Sequence, residues 1–576
     1  MEAAAEALST SQLQPHVAGA FFALAACTVA LAALLAVART RPPWWCDCAV
    51  CEAYLTASWA GEFDNLCDWY AHLLRASPSR TVHVHVLRNV LTANPVTVDH
   101  MLRARFDNYP KGAPFSAILA DFLGRGIFNV DGDAWMFQRK LAAAELASPT
   151  IRAYAASVVA SELRSRLVPL LHSASSDDAD GKVLDLQDVF RRFAFDCICK
   201  ISFGLDPGCL ELSMPVSAFV DAFDAASMLS ARRAIAPMQI IWRLKRLLNV
   251  GDERKLRDSV RLVDAFATEV IRQRHKLGAS SGSDLLSRFM GSISDDRYLR
   301  DIVVSFMLAG RDTVASALTA FFLLLSDHPE AAVAIRDEVS RVAGDDDDRP
   351  VFGKLKDMHY VHAALYESMR LFPPVQFDSK FAAGDDTLPD GTAVTKGTRV
   401  TYHAYAMGRM ESVWGPDCAE FRPERWLRGG RFVPVSPYRY PVFQAGVRVC
   451  VGKDLALMEM KAVIVAVVRS FDVETVGRSS RRPKFAPGLT ATFAGGLPVR
   501  VRRRASAARL DTTLRSDLDI GSSMERWMRG KPHLHRRCFA SPLTSSGSGK
   551  RGEDGCADEK SDAEKKRSDA TPFCVF

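Results

Sequence analysis

Apolar and polar positions follow two periods along most of this chain, and one early stretch has no polar break at all. From Val17 to Ala38 the sequence VAGAFFALAACTVALAALLAVA carries no charged side chain. Coiled as a helix, the run is long enough to cross the ~30 Å of hydrocarbon in a bilayer. Arg39 and Arg41 follow it, then the pair Trp44–Trp45, whereas the only charges ahead of it are Glu2 and Glu6. Cationic flanks stay cytosolic and tryptophans settle at the interface. The pattern therefore predicts a single membrane-spanning anchor at 17–38, a short lumenal N-terminus at 1–16, and a body facing the cytosol. A cleaved signal peptide fits less well, because the apolar run is long for one and no Lys or Arg precedes it.

Past the anchor, amphipathic stretches of helical length alternate with loops rich in Gly, Ser and Asp at 173–182, 278–284 and 344–350. Strand-like pieces are short: TVHVHVL at 81–87, and TAVTKGTRVTYHAYAM at 392–407, where turn residues separate β-branched runs. The prediction is a mainly α body with a minor β-sheet region and no internal repeat. From Ala505 the chain turns polar, charged and aperiodic, so 505–576 reads as a disordered tail.

Composition changes this picture little. A chain of 576 residues, 48% hydrophobic and 24% charged, can bury a large core. A net charge of +7, with the arginines dispersed, does not favour nucleic-acid binding. Thirteen cysteines spread over so long a chain suit reduced thiols better than a disulfide framework. The cluster WCDCAVC (Cys46, Cys48, Cys51, with Cys67 beyond) raises the question of zinc. It lacks a paired knuckle at standard spacing, so partly buried thiols are the expectation.

The chemistry concentrates near 443–452, FQAGVRVCVG, ahead of the helical pattern DLALMEMKAVIVAVV. A cysteine at a helix N-terminus gains thiolate character from free N–H groups and the dipole. Gly446 and Gly452 would let backbone approach a flat ligand. Arg448 offers a fork of donors to a carboxylate, and Phe443 would keep water from the sulfur. That combination suits haem, with Cys450 as axial ligand. By itself the stretch equally fits a buried cysteine in a Gly-containing turn.

Three further stretches tip the balance. In ALYESMRLFPPV, Glu367 and Arg370 share a helix face, and in FRPERW, Arg425 could reach the same glutamate. SFMLAGRDTVASAL places small residues, Ala309 and Gly310, beside Asp312 and Thr313 inside an apolar helix. Such local rule-breaking marks functional sites. A helix kink, with Thr313 bonded back to a carbonyl, is the structural alternative.

Together these residues resemble the cytochrome P450 family of haem-thiolate monooxygenases. Its signature Phe-x-x-Gly-x-Arg-x-Cys-x-Gly is complete at 443–452, the Glu-x-x-Arg pair at Glu367 and Arg370, and Pro-Glu-Arg at 423–425. Ala-Gly-x-Asp-Thr is complete at 309–313, and Trp-x-x-x-Arg appears as Trp135 and Arg139. The resemblance implies a monooxygenase domain at 39–504 holding haem b, with Cys450 on iron and Trp135, Arg139 and Arg448 on its propionates. Lys380 stands where the family often has a further propionate-binding Arg. Thr313 and Asp312 would assist oxygen activation, and Glu367, Arg370 and Arg425 would lock the scaffold. Electrons would come from NADPH through a membrane-bound cytochrome P450 reductase in the endoplasmic reticulum.

FDNYPKG, PFSAILADFLGRGIFNVDGDAW, PPVQFDSKFA and YPVFQAG look like the plant branch that oxidises the terminal carbon of fatty acids. They are especially similar to the members that oxidise jasmonoyl-isoleucine to its 12-alcohol and then to the carboxylate. Val314 departs from many relatives, which carry Thr. The implied substrate is a small lipid-like carboxylate. Candidate pocket residues are Phe115, Ile118, Leu308, Ala309, Val375 to Phe377, Thr492 and Phe493, with Lys111, Arg125 or Arg311 as the cation for its acid end. Free long-chain fatty acids are the alternative substrate, and a non-catalytic haem-binding membrane protein is the alternative class.

Overall fold

The computed structural model describes residues 46–175, 182–210, 218–277, 284–344, 351–477 and 483–504, plus isolated positions of the N-terminal apolar run. The expected anchor, the three polar loops and the tail lie wholly or largely outside those residues. Within them helices dominate. The ones that frame the site are α1 (Gly132–Ala147), α2 (Pro149–Glu162), α3 (Leu186–Phe203), α4 (Ala218–Ile235) and α5 (Asp252–Leu277). Next come α6 (Asp296–Met307), α7 (Thr313–Asp327), α8 (His359–Leu371) and α9 (Lys453–Ser470).

Helices α6 and α7 are one continuous rod of 32 residues, joined through a π-helical turn at Leu308–Asp312. Asp295 starts the rod by accepting hydrogen bonds from the N–H groups of Arg297 (3.0 Å) and Tyr298 (3.4 Å). By length and composition this helix could cross a membrane, yet its apolar window is 83% buried inside the protein. It is the central core helix, with α3 packed along it. The close approach needs Gly310, because a Cβ there would lie 2.4 Å from Ile198 Cδ1 on α3.

A four-stranded sheet lies at one end, with order β1 (Thr81–Val84), β2 (Asn89–Thr92), β5 (Arg399–Tyr402), β4 (Asp378–Phe381). The β2–β5 pair is parallel and the others antiparallel. A smaller antiparallel sheet joins β3 (Leu184–Asp185), β7 (Pro498–Arg503) and β6 (Phe471–Thr475). Two sequence readings change here. The alternating TVHVHVL is a strand only to Val84; His85–Leu87 form a 3₁₀ turn, and Arg88 at φ 48° reverses the chain into β2. After β5 the run HAYAM becomes a helical turn, because His403 Nδ1 caps it by accepting the Ala406 N–H (3.2 Å).

One buried acid sits on α9. Glu459 is pushed up to about 8 by burial, and its Oε1 has no hydrogen-bond partner among the described residues. An acid raised in the fold binds its proton there while the unfolded chain has released it, so stability falls as pH climbs from the ordinary carboxylate range toward 8. Glu459→Gln should therefore leave the melting temperature near that of the parent at pH 5 and raise it at pH 8. Circular-dichroism melts at the two pH values check this.

Candidate functional site

A cavity of about 340 Å³ lies between the core helix, the loop before α9 and the sheet. Its walls are apolar, with Leu119, Leu123, Ile302 and Phe306 on one side and Leu308 and Ala309 on the rod. Cys450 sits at its floor. The Sγ opens onto the cavity while lying deep in the protein. The loop 443–452 closes on itself through the Cys450 N–H and the Phe443 carbonyl (2.8 Å). The expected lowering of the thiol does not appear: burial pushes Cys450 up, against the Gly452 N–H and the cations Arg139 and Lys453. Helix-terminal amides alone do not overcome desolvation here.

Gly446 serves the protein and not a flat ligand. Its φ is +61°, and a Cβ would strike the Leu102 carbonyl oxygen at 2.1 Å. Gly452 does border the cavity, with only Cys450 Sγ, at 4.0 Å, near an added Cβ. Phe443 lines the floor and packs 6.2 Å from the Tyr366 ring.

Four cations line the same cavity. Arg448 stacks 4.4 Å from the Trp135 ring and donates to Asp131 Oδ1 (2.5 Å), leaving its Nε without a partner among the described residues. Arg139 lies 5.8 Å from the same ring and has no ion pair among the described residues. Burial lowers both guanidiniums from their ordinary value. Lys111 and Lys380 grip the two oxygens of Asp378 at 2.5 and 2.7 Å. Burial pushes Lys380 down to about 7; Asp378 opposes this, and Lys111 and Arg448 add to it. Despite burial, the two lysines hold Asp378 far below the usual carboxylate range. Four cations thus face Asp378 and Glu459 on the lining, with Asp131 behind Arg448. The surplus of positive charge and the orphaned Arg448 nitrogen fit a planar group bearing two carboxylates above a single sulfur.

Over the cavity, the π turn exposes Ala309 and Thr313. Thr313 Oγ1 donates to the Ala309 carbonyl (2.6 Å), so the back-bonded helix irregularity is present alongside the site. Asp312 points elsewhere: it does not line the cavity, and Oδ1 is 3.2 Å from Arg311 without a hydrogen bond. Burial raises its carboxyl above the ordinary range, against the pull of Arg311. Arg311 in turn pairs with Asp224 (2.6 Å), which pairs with Arg191 (3.2 Å).

Beneath, α8 carries a buried charge cluster. Arg370 Nε and Nη2 donate to the Glu367 carboxylate at 2.7 and 2.8 Å, and Arg425 Nε reaches it at 3.2 Å. The Trp426 indole and the Arg422 N–H, both at 2.9 Å, complete its partners. Arg370 also donates to the carbonyls of Gly408, Cys418 and Glu420, pinning three loop positions to the helix.

Comparison with known proteins decides the family. Residues 63–494 match the family model described as Cytochrome P450. This chain belongs to the cytochrome P450 family. It is 56% identical over 467 residues to cytochrome P450 94C1 of Arabidopsis thaliana, covering 80% of this chain and 94% of that protein. Cytochrome P450 94B3 of the same plant is 47% identical over 459 residues, covering 77% and 88%. Cytochrome P450 94A1 of Vicia sativa is 44% identical over 453 residues, covering 76% and 87%. The chain is thus a plant P450 of the 94 group, a monooxygenase whose family carries haem iron and takes electrons through a reductase.

Against that P450 frame, the pocket differs from the sequence reading in several places. Phe115, Leu308, Ala309, Val375 and Phe377 line the cavity. Ile118 does not; it is buried behind the wall, and its carbonyl accepts from Arg233 (3.0 Å). Thr492 and Phe493 form the return strand of the C-terminal hairpin, where Phe493 packs on Phe372 and Phe485. The hairpin instead offers Leu489 and Thr490 at its turn, tied to the opposite wall by the Ala491 N–H and the Pro374 carbonyl (2.8 Å). None of the three cations suggested for the acid end is free. Lys111 is held by Asp378, Arg125 pairs with Asp295 at the surface, and Arg311 is buried with Asp224.

Asp131, Asp378 and Gln444 were missed altogether. Gln444, at φ 62°, accepts from the Tyr402 hydroxyl and donates to Asp378 (3.0 Å). A polar side chain inside the otherwise apolar PVFQAG was the available signal.

Removing the Glu367 carboxylate takes the counter-ion from the fully buried Arg370 and the acceptor from the Trp426 indole, while Arg425 keeps Asp417. Glu367→Ala should destabilise the domain by about 3–5 kcal/mol. The midpoint of denaturant unfolding, compared with that of the parent, measures it.

Proposed function

We propose that this P450 hydroxylates the terminal carbon of a jasmonate conjugate such as jasmonoyl-isoleucine, with a second round carrying the alcohol onward to the carboxylate. The observation that carries the reading is the single cavity joining Cys450 to a closely walled apolar space above it. Primary C–H bonds resist abstraction more than secondary ones, so attack at a chain end has to come from positioning. Leu308 and Ala309 on the rod, Val375 and Phe377 opposite, and Leu489 and Thr490 at the hairpin turn line this space and are the candidate positions for holding a chain end.

Haem held here would supply oxidation of an unactivated C–H bond with O₂ and reductase-delivered electrons. The chain's own contribution is positional and acid–base. Cys450 Sγ would hold the iron, and Arg139, Arg448, Lys380 and Trp135 would hold the propionates. Thr313 Oγ1 holds a hydroxyl hydrogen at the cavity roof. Asp312, its carboxyl raised by burial, lies behind it, with Arg311, Asp224 and Arg191 as the charged groups around it. The uncharged run at 17–38, flanked by Arg39 and Arg41, supports a single-pass anchor in the endoplasmic reticulum with the domain in the cytosol.

Cys450→Ser should abolish the long-wavelength Soret band of the reduced, CO-treated protein, and a retained band would remove Cys450 from the iron. Microsomes carrying the enzyme, given NADPH, reductase and jasmonoyl-isoleucine, should yield the 12-hydroxy product and then the 12-carboxy product by mass spectrometry. Turnover of free fatty acids alone, unaffected by excess conjugate, would replace the substrate assignment with fatty-acid ω-hydroxylation.

A further inference from the structure

Where the described body begins, well apart from the lining of the cavity, four metal-binding side chains converge. Cys46, Cys48 and Cys51 come from the segment leading into and through the helix Ala49–Thr56, and His85 comes from the turn that ends β1. Each offers one donor atom, and the four atoms lie within 4.8 Å of one another. His85 Nδ1 is 3.8 Å from Cys48 Sγ and 3.9 Å from Cys51 Sγ. In a tetrahedral zinc site, bond lengths of about 2.3 Å to sulfur and about 2.0 Å to nitrogen put neighbouring S and N atoms roughly 3.6 Å apart. The donors already stand near that spacing.

Backbone N–H groups point at all three sulfurs. The Cys48 N–H points at Cys46 Sγ (3.5 Å), the Cys51 N–H at Cys48 Sγ, and the N–H groups of Val86 and His85 at Cys51 Sγ. Amide donors of this kind orient and charge-balance metal-bound sulfur. His85 is fixed in turn by its ring contact with His83, at 4.0 Å between centroids. All three cysteines are free of disulfides. The sequence groups these cysteines with Cys67, without a paired knuckle; the structure instead brings in His85, 34 residues beyond Cys51. The hairpin turn after Val84 is what delivers it.

We propose that Cys46, Cys48, Cys51 and His85 form a structural Cys₃His zinc site that clips the first segment of the body to the edge strand of the four-stranded sheet. Four protein donors leave no open position, so the metal is structural and not catalytic. The clip fastens the chain eight positions after the end of the apolar run at 17–38 and ties it to one edge of the sheet whose opposite edge strand carries Asp378 and Lys380.

The test uses the full-length protein, solubilised and purified without chelator. Elemental analysis should find one zinc per haem, and zinc K-edge absorption should show three sulfur and one nitrogen neighbours. His85→Ala and Cys48→Ser should lose the zinc, with affinity falling beyond the ~10–100-fold that loss of a mere supporting partner costs. His85→Cys, which restores four donors, should keep it. Haem content of each variant reports folding independently of the metal. The proposal fails if haem-loaded parent protein carries no zinc even after zinc-supplemented growth. It fails equally if zinc persists in His85→Ala and Cys48→Ser, or if mass spectrometry finds a disulfide among the three cysteines.

Discussion

A buried carboxylate at Asp378 ties four separate stretches of chain to one point. Lys111 reaches it from ahead of the helix Gly112–Leu123, Lys380 from its own strand, Tyr402 from β5, and Gln444 from the cysteine loop. A lone ion in that position would be costly to desolvate, and two lysines more than neutralise it. The excess positive charge is left facing the cavity. The same network therefore does two jobs: it registers the cysteine loop against the sheet, and it stores the charge that an anionic cofactor edge would balance.

Much of this was readable beforehand, and what was not shares a physical cause. Local spacing put Glu367 and Arg370 on one helix face, and the structure has both oxygens of Glu367 on that arginine. The apolar periodicity of DLALMEMKAVIVAVV became α9 with its start just after Gly452. Long-range neighbours were hidden. Gly446 looks like space left for a ligand, yet its missing side chain makes room for the Leu102 carbonyl, and Gly310, which does line the cavity, also makes room for Ile198, each partner more than a hundred positions away. Helical phase was hidden too: Asp312 adjoins Thr313 in sequence, but the π turn aims it at Arg311 while Thr313 faces the cavity. A three-residue difference along the C-terminal hairpin likewise exchanges lining positions for core ones, as Thr490 and Phe493 illustrate.

The rod α6–α7 shows how strain and packing are divided. A wholly regular helix would satisfy its backbone locally, and the π turn at Leu308–Asp312 gives up that regularity at the one point where the helix borders the cavity. Thr313 accommodates the defect by bonding to the Ala309 carbonyl. Closely packed apolar turns on both sides, from Val303 to Met307 and from Val314 to Leu325, hold the irregular segment in place.

The bond between the Ala491 N–H and the Pro374 carbonyl makes two walls into one frame. Parting the two lips breaks that bond, so backbone bounds the space above Cys450 and side chains give it its texture. New substrate ranges within such a frame arise by exchanging what projects from Val375, Phe377, Leu489 or Thr490. The gauge itself stays constant while the fittings change.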